Sequence, residues 1–285
     1  MAAIGILGMG TMGAAVGTAL KTSGHRVLTD LRGRSDLSVQ RAIGRGIEIT
    51  GSLNQLMTEV DFLFSIVPPD QALPLAETLA AESAGISERP VFVDANAVAP
   101  QTVQRIARAC ENADLPFLDG GIVGGPPTAD SRPRLYLSGG HAGTVAFLDG
   151  QAFDHVVLQG QAGQASMFKM LYAGLTKGLN ALLVNQLTAA ERAGLFEAYV
   201  EELAMSQQSL LARAESVIPR MPADAERWTP EMREIASALG ELDLPTGFHK
   251  AAERVMQRLA SSPFATETRE TVDAGRTVRD TLREP

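Results

Sequence analysis

The chain has 285 residues, 45% of them hydrophobic, which is typical of one large globular domain or two ordinary ones. Its net charge of -8 argues against sequence-independent nucleic-acid binding, which needs a basic face. The single cysteine, Cys110, excludes an internal disulfide and fits a reducing, cytoplasmic setting. We expect no signal peptide, because Met1-Ala2-Ala3 leads straight into a short predicted strand. We expect no membrane span, because no apolar run approaches the roughly 18 residues that cross a bilayer.

Short β-branched runs alternate with helical patterns up to about residue 160. The predicted strands are Ala3–Leu7, Arg26–Thr29, Phe62–Ile66, Val91–Val93, Pro116–Leu118, Leu135–Leu137 and His155–Leu158. The predicted helices between them are Thr11–Ser23, Leu53–Thr58, Gln71–Ala84 and Pro100–Ala113. This alternation predicts parallel strands in a doubly wound α/β sheet.

The strand pattern ends near Gly163, and the remainder of the chain has helical patterns only. These patterns cover Ser166–Ala212, Thr229–Leu239, Phe248–Ala260 and Thr266–Leu282. We therefore predict a Rossmann-type dinucleotide-binding domain over residues 1–162 and an all-α substrate and dimerisation domain over residues 163–285. Apolar residues at helical spacing predict a helix face that needs a partner, and they are Leu179, Leu182, Leu183, Leu187 and Phe196.

A glycine-rich turn follows the first predicted strand and opens the first predicted helix. It consists of Gly8, Met9, Gly10, Thr11, Met12 and Gly13. In the dinucleotide fingerprint, the first glycine permits a tight turn, the second lets the pyrophosphate approach the backbone, and the third lets the helix pack on the sheet. Free N–H groups at the helix start then face the phosphates. The alternative is a glycine-rich turn without a ligand.

The end of the second predicted strand should lie near the adenosine ribose of such a coenzyme. Asp30 is about 20 residues past the motif, where an acid would hold the 2′-hydroxyl of NAD. Arg32, Arg34 and Ser35 follow at once, and two guanidinium groups with a hydroxyl suit a 2′-phosphate. The sequence therefore favours NADP(H), with NAD(H) still permitted. A solvated basic turn is the alternative.

Several segments in order resemble the β-hydroxyacid dehydrogenase family, which is related to 6-phosphogluconate dehydrogenase. They are the Met-Gly ending of the glycine turn, Ser65-Ile66-Val67-Pro68, the segment from Val93 to Pro100, Asp119-Gly120-Gly121-Ile122-Val123-Gly124-Gly125, and the stretch from Gly163 to Lys169. The resemblance covers the first 200 residues. The rest of the chain resembles a little-characterised branch with its own C-terminal helical domain.

The resemblance implies roles for individual residues. Val67 and Pro68 would border the coenzyme, and Lys169 would be the catalytic lysine. Asn96 would hydrogen-bond nicotinamide or substrate, and equally it would suit a cap for the helix near Pro100. The alternative for Lys169 is an ordinary surface lysine on an amphipathic helix.

The substrate side of the predicted site departs from the family. Gly124 and Gly125 would offer N–H groups to a substrate carboxylate, or form a plain turn. Val123 stands where the family has serine, and Ala173 stands where it usually has asparagine. Lys177 lies two helical turns after Lys169, where it would supply a replacement charge or lower the pKa of Lys169.

These features predict an NADP(H)-dependent oxidoreductase that interconverts a small 3-hydroxy acid and its oxo acid. Lys169 would be the general acid in reduction and the base in oxidation, and decarboxylation of a 3-oxo acid would be a natural sequel. An imine reductase and a non-catalytic NADPH sensor are the alternatives. The resemblance implies a homodimer. We expect no metal, because no histidines or acids show metal-ligand spacing.

Overall fold

The computed structural model describes residues 1–269 and 271–283. By its internal contacts the chain divides into two compact units, Met1–Met170 and Leu171–Pro285. The domains proposed from the sequence, 1–162 and 163–285, stay a prediction about function.

An eight-stranded sheet forms the centre of the first unit. Its strands are β1 (Ala3–Leu7), β2 (Arg26–Thr29), β3 (Glu48–Ile49), β4 (Phe62–Ser65), β5 (Val91–Asp94), β6 (Phe117–Val123), β7 (Arg134–Ser138) and β8 (Asp154–Val157). Their order across the sheet is β3-β2-β1-β4-β5-β6-β7-β8. The order reverses between β1 and β4, the kind of position where doubly wound sheets bind nucleotides.

The strands from β3 to β6 are parallel, which confirms the predicted doubly wound architecture. The pair β6–β7 is antiparallel, contrary to the prediction of parallel pairing. The reason is the connection, because residues 124–133 form a loop without the helix that a parallel crossover requires.

Helices cover both faces of this sheet. They are α1 (Thr11–Thr22), α2 (Asp36–Gly44), α3 (Leu53–Glu59), α4 (Pro69–Glu82) and α5 (Pro100–Glu111). Alternate strand residues enter two apolar cores. Ile4 and Ile6 of β1 belong to one core, whereas Leu7 belongs to the other. The last helix to begin in this unit is α6 (Gln164–Arg192).

Within its described residues, the second unit has helices and turns but no strand. After the remainder of α6 come α7 (Phe196–Ser206), α8 (Gln208–Val217), α9 (Pro222–Gly240), α10 (Gly247–Ala260) and α11 (Val278–Arg283). The predicted helical stretch Ser166–Ala212 is interrupted at Gly194, whose φ of +71° ends α6. The predicted helix Thr266–Leu282 is wrong over most of its length, since the described residues before Val278 form turns, and Glu270 lies outside the described residues.

Candidate active site

The glycine turn joins β1 to α1 in the way the fingerprint requires. Gly8 has a φ of +101°, a conformation that favours glycine. Gly10 is the N-cap residue of α1, and no side chain accepts a hydrogen bond from the start of this helix. The first turn of α1 has no acidic residue. The positive end of the helix dipole and the first N–H groups are therefore available to an anion.

The three glycines of the turn differ in what surrounds them. A Cβ at Gly13 would lie 1.9 Å from the carbonyl oxygen of Gly8, and a Cβ at Gly8 would lie 2.2 Å from the carbonyl oxygen of Ile66. Both glycines are thus required by the packing of the protein itself. A Cβ at Gly10 would meet nothing within 4 Å. The protein alone gives no steric reason for a glycine there, whereas the close approach of a diphosphate does.

The residues expected at the ribose end lie in the loop between β2 and α2. Arg32 donates hydrogen bonds to Asp30, including one of 2.9 Å from Nη2 to Oδ2. Partial burial raises the pKa of Asp30, but the hydrogen bonds and charge of Arg32 outweigh it and hold the pKa below its usual range. Arg34 donates to the side chain of Gln71 at 2.8 Å. The Ser35 hydroxyl oxygen accepts from the Ser38 backbone N–H and caps α2.

Asn96 connects the two loops that follow β4 and β5. Its Oδ1 accepts from the Val67 backbone N–H at 2.6 Å, and its Nδ2 donates to Ser65 Oγ at 2.8 Å and also to Asp94 Oδ1. Asn96 is buried. The N-cap residue of α5 is Ala99, without a side-chain hydrogen bond, so the expectation that Asn96 caps this helix is wrong. The amide instead fixes the loop of Val67 and Pro68.

Two buried carboxyl groups face each other across β5 and β6. Asp94 and Asp119 are register partners at the end of β5, and both are fully or almost fully buried. Burial and then the negative charge of Asp119 raise the pKa of Asp94 to about 8, against the opposing hydrogen bond from Asn96. Asp94 therefore holds its proton at pH 7.

Lys169 lies on the second turn of α6, half-buried and packed against β6. A Cβ at Gly121 would lie 2.7 Å from the Ala165 carbonyl oxygen and 3.0 Å from the Lys169 Cβ. Only a glycine at this position of β6 lets the helix come so close. Phe168 stacks on Tyr136 of β7, with ring centroids 4.0 Å apart. The lysine thus stands on a closely packed helix rather than on a loose surface segment.

The expected substrate residues beside β6 differ in their exposure. Val123 is the last residue of β6, and its side chain is buried. Gly124 and Gly125 are exposed in the turn that follows, with Gly124 at a φ of +127°. Their N–H groups stay candidates for a substrate carboxylate, while the Val123 side chain serves the core.

The remaining two expected substrate residues lie in the second unit. Ala173 is buried. Lys177 forms an ion pair with Glu231, the two side chains being 15% and 4% exposed, and its Nζ is 5.2 Å from the Trp228 ring centroid. Its charge is thus compensated by Glu231, a partner that the sequence did not indicate. His249 hydrogen-bonds the Gly174 carbonyl oxygen at 3.0 Å through Nε2.

The strand register aligns the carboxyl ends of the strands, so that the glycine turn and Lys169 lie at the same end of the sheet. Leu7 pairs with Ser65, Ser65 with Asp94, and Asp94 with Asp119, so β1, β4, β5 and β6 are aligned at their carboxyl ends. Two strands separate β1 from β6, which corresponds to about 14 Å at the usual strand spacing. A coenzyme anchored at α1 would reach across this distance toward β6.

Comparison with known proteins identifies the first unit. Residues 3–150 match the NAD binding domain of 6-phosphogluconate dehydrogenase. The chain belongs to this family. Residues 190–259 also match a domain of unknown function, DUF1932. Membership in the 6-phosphogluconate dehydrogenase NAD-binding family confirms the predicted fold, the NAD(P)-binding domain and the class of NAD(P)-dependent dehydrogenases.

Two curated relatives extend this comparison. An uncharacterised 28.5 kDa protein of Methanothermus fervidus is 28% identical over 200 residues, which cover 70% of this chain and 75% of that protein. A 3-hydroxyisobutyrate dehydrogenase of Pseudomonas aeruginosa is 29% identical over 155 residues, 53% of this chain. The match spans 46% of that dehydrogenase.

Solved structures show the same architecture. A conserved protein of unknown function, described as similar to 3-hydroxyacid dehydrogenases, is 28% identical with a TM-score of 0.65, covering 90% of this chain and 96% of that one. A reductive aminase from Aspergillus terreus, solved with NADPH4, cyclohexanone and allyl amine, is 17% identical with a TM-score of 0.59, covering 99% and 98%. The second likeness concerns the fold alone.

The described residues contain neither a metal-binding cluster nor a membrane-spanning helix. Three or more histidine, cysteine, aspartate or glutamate side chains do not come together there in a way that would hold a metal ion. In the same part of the chain, no helix combines the length and the apolar character needed to cross a membrane.

Proposed function

We propose that the protein is an NADP(H)-dependent oxidoreductase that interconverts a small 3-hydroxy acid and its oxo acid, with Lys169 as general acid and base. Two features of the first unit carry the proposal, and both lie at the carboxyl end of its sheet. The turn at Gly10 has open space beside it, and the helix that carries Lys169 packs closely against Gly121. The relative named 3-hydroxyisobutyrate dehydrogenase and the solved structure described as similar to 3-hydroxyacid dehydrogenases support the substrate class.

The residues of the glycine turn fit the diphosphate of the coenzyme. The backbone N–H groups at the start of α1 would bind it, and the open side of Gly10 would admit it. Val67 and Pro68, held in place by Asn96, would border its other end. When bound, the coenzyme supplies or accepts the hydride.

Lys169 would move the proton that accompanies the hydride. In reduction its ammonium group donates a proton to the carbonyl oxygen of the substrate, and in oxidation its neutral amine takes the proton of the hydroxyl group. Backbone N–H groups at Gly124 and Gly125 would orient the substrate carboxylate. Oxidation of a 3-hydroxy acid yields a 3-oxo acid, so release of carbon dioxide is a second product to measure.

The lysine role is tested by turnover of NADPH and NADP with a panel of 3-hydroxy and 3-oxo acids. Lys169→Ala should lower kcat by about 100-fold to 10,000-fold, the usual contribution of a general acid or base. Lys250→Ala, at an exposed position, is the matched control. Equal turnover by wild type and Lys169→Ala would remove Lys169 from the mechanism, and the sensor alternative predicts that neither protein turns over any of these acids.

The preference for NADP(H) is supported by Arg32 and Arg34 in the loop that precedes α2. Asp30 is engaged by Arg32, so its carboxylate is less able to hold a 2′-hydroxyl, and two guanidinium groups stand near the capped helix start. Arg34→Ala should weaken NADPH binding by about 10-fold to 150-fold, the equivalent of one lost charge-assisted hydrogen bond, and leave NADH binding unchanged. Arg45→Ala, at the exposed far end of α2, is the control.

Imine reduction, the alternative predicted from the sequence, is tested in a second arm of the same assay. Cyclic imines are offered beside the oxo acids, and Lys169 favours the acids because it suits proton transfer to a carbonyl oxygen. Turnover of imines alone would reverse this preference.

We propose a homodimer in a cytoplasmic, reducing setting. In the second unit, α6 exposes Leu171, Leu175 and Leu182 at 48%, 71% and 54%, at the spacing of one helix face. An apolar face of this kind calls for a partner. A monodisperse monomer by light scattering would contradict the dimer. The only cysteine of the sequence, Cys110, is a buried thiol, which fits a reducing compartment.

A further inference from the structure

Asp119 is a buried carboxylate that the proposed chemistry has not used. It is the third residue of β6 and has no exposed surface. A carboxylate in such a place is costly unless it is fully hydrogen-bonded. Its partners therefore indicate what it does.

Five donors surround the two oxygens of Asp119. Oδ2 accepts from Ser138 Oγ at 2.7 Å and from the backbone N–H groups of Gly163, Ala165 and Ser166 at 2.8, 3.0 and 3.2 Å. Oδ1 accepts from Ser166 Oγ at 2.6 Å. A neutral amide would turn an N–H group toward one of these donors, so the arrangement suits an ionised carboxylate.

Three of these donors are backbone groups at the start of α6. The first turn of a helix has N–H groups without partners inside the helix, and a negative charge there also interacts favourably with the helix dipole. The Ala165 N–H is shared, since it donates to Ser138 Oγ at 3.0 Å as well. A strand residue 44 positions earlier than Gly163 thus caps the helix that carries Lys169.

The same face of β6 holds this helix at a second point. Gly121 lies two residues after Asp119, and residues two apart on a strand point to the same side. It is at Gly121 that the Ala165 carbonyl oxygen and the Lys169 Cβ come close to the strand. Hydrogen bonds at Asp119 and close packing at Gly121 together restrict both the sliding of α6 along its axis and its rotation about that axis in its first turns.

We propose that Asp119 is a positioning residue for Lys169, which it aligns by anchoring the start of α6. This inference rests on the proposed role of Lys169. Misplacement of a reacting group by about 1 Å can cost about 100-fold in rate, so the anchor has a direct effect on catalysis. A cap with a purely structural role would change the stability of the protein but not the pKa or the reactivity of the Lys169 amine.

The test compares Asp119→Asn with Ser52→Ala, which removes a different cap of the same unit. Ser52 caps α3 by accepting from the Gln55 N–H at 3.0 Å. Asp119→Asn should lower kcat by about 100-fold while the Kd for NADPH changes less than about 3-fold. It should also shift the limb of the kcat/KM pH profile that reports the amine, because displacement of α6 changes the charges and the burial around the Lys169 side chain. Ser52→Ala should leave both quantities unchanged.

A second measurement needs no substrate. Trace acetylation of Lys169 by acetic anhydride, quantified by mass spectrometry, reports the position and basicity of its amine. We expect the labelling rate to change in Asp119→Asn and to match wild type in Ser52→Ala. A labelling rate in Asp119→Asn equal to that of wild type would overturn the inference. So would a kcat of Asp119→Asn within about 3-fold of that of Ser52→Ala, because misplacement of the amine should cost far more.

The outcomes separate the inference from the function on which it rests. If Lys169→Ala turns over substrate like wild type, the proposed mechanism fails. If Lys169→Ala is impaired but Asp119→Asn is not, the inference alone fails. Should Asp119→Asn not fold, Ser166→Ala carries the test, because it removes only the hydroxyl that donates to Oδ1. A smaller loss of kcat, about 10-fold, is expected there, and unchanged kcat and labelling would overturn the inference.

Discussion

Alanine at two glycines of the coenzyme turn should have opposite consequences. Gly10 has a φ of -69° and a ψ of -175°, which any residue adopts, and a Cβ there meets nothing within 4 Å. Gly10→Ala should therefore change the free energy of unfolding by less than about 1 kcal/mol. The new methyl group would occupy the space in front of the α1 N–H groups. Crowding of this kind costs about 1–3 kcal/mol, so NADPH affinity should fall by about 5-fold to 150-fold.

Gly13→Ala is the matched variant, in which the new methyl group collides with the protein itself and lowers its stability. Its Cβ would lie 1.9 Å from the Gly8 carbonyl oxygen, about 1.5 Å short of ordinary van der Waals contact. Both groups belong to the backbone, so α1 must shift, and the loss should be at least about 1–3 kcal/mol of unfolding free energy. Urea unfolding and calorimetric titration with NADPH measure the two effects separately. Wild-type NADPH affinity in a folded Gly10→Ala variant would contradict the diphosphate site at Gly10. A Gly13→Ala variant with the unfolding free energy of the wild type would contradict the packing role of Gly13.

Two further predictions concern buried charge. Asp94 has its pKa raised to about 8 in the folded protein, against about 3.9 in an unfolded chain. Between about pH 4 and pH 8 the folded state therefore binds one proton more than the unfolded chain. The free energy of unfolding should fall as pH rises through this range, by up to about 1.4 kcal/mol per pH unit. Asp94→Asn should remove that slope from urea unfolding, and an unchanged slope would contradict the assignment. Lys177→Met or Glu231→Leu alone should each cost about 3–5 kcal/mol, because a buried charge loses its partner. The double variant should recover most of the loss, and losses that simply add would show that the two groups do not interact.

The main architecture could be predicted from the sequence because its signals are local. The strand Ala3–Leu7, the glycine turn and α1 follow each other within the first 22 residues, and their hydrophobic pattern and glycine spacing are visible there. The helix α2 and the strand β3 were missed. β3 has two residues, both exposed, so it carries no hydrophobic pattern. Ser35, interpreted as a phosphate ligand, in fact also marks the start of α2 as its cap.

The contacts around the candidate site depend on residues far apart in the sequence. Glu231 lies 54 residues after Lys177, and nothing in the local pattern of either residue indicates the pair. Asp119 begins a glycine-rich segment, and the sequence alone predicts substrate binding for the glycines of that segment. The position of this aspartate inside an otherwise apolar strand was the available signal, because a carboxylate there requires several donors. The glycines of that segment are part of β6 itself, where Gly121 admits the lysine helix.

Calorimetric titration of the wild-type protein with NADPH and with NADH tests directly whether the glycine turn binds a nicotinamide coenzyme. We expect one coenzyme bound per chain, with NADPH bound more tightly than NADH and with an affinity for NADPH about 5-fold to 150-fold lower in the Gly10→Ala variant. Folded wild-type protein that binds neither coenzyme would contradict the account.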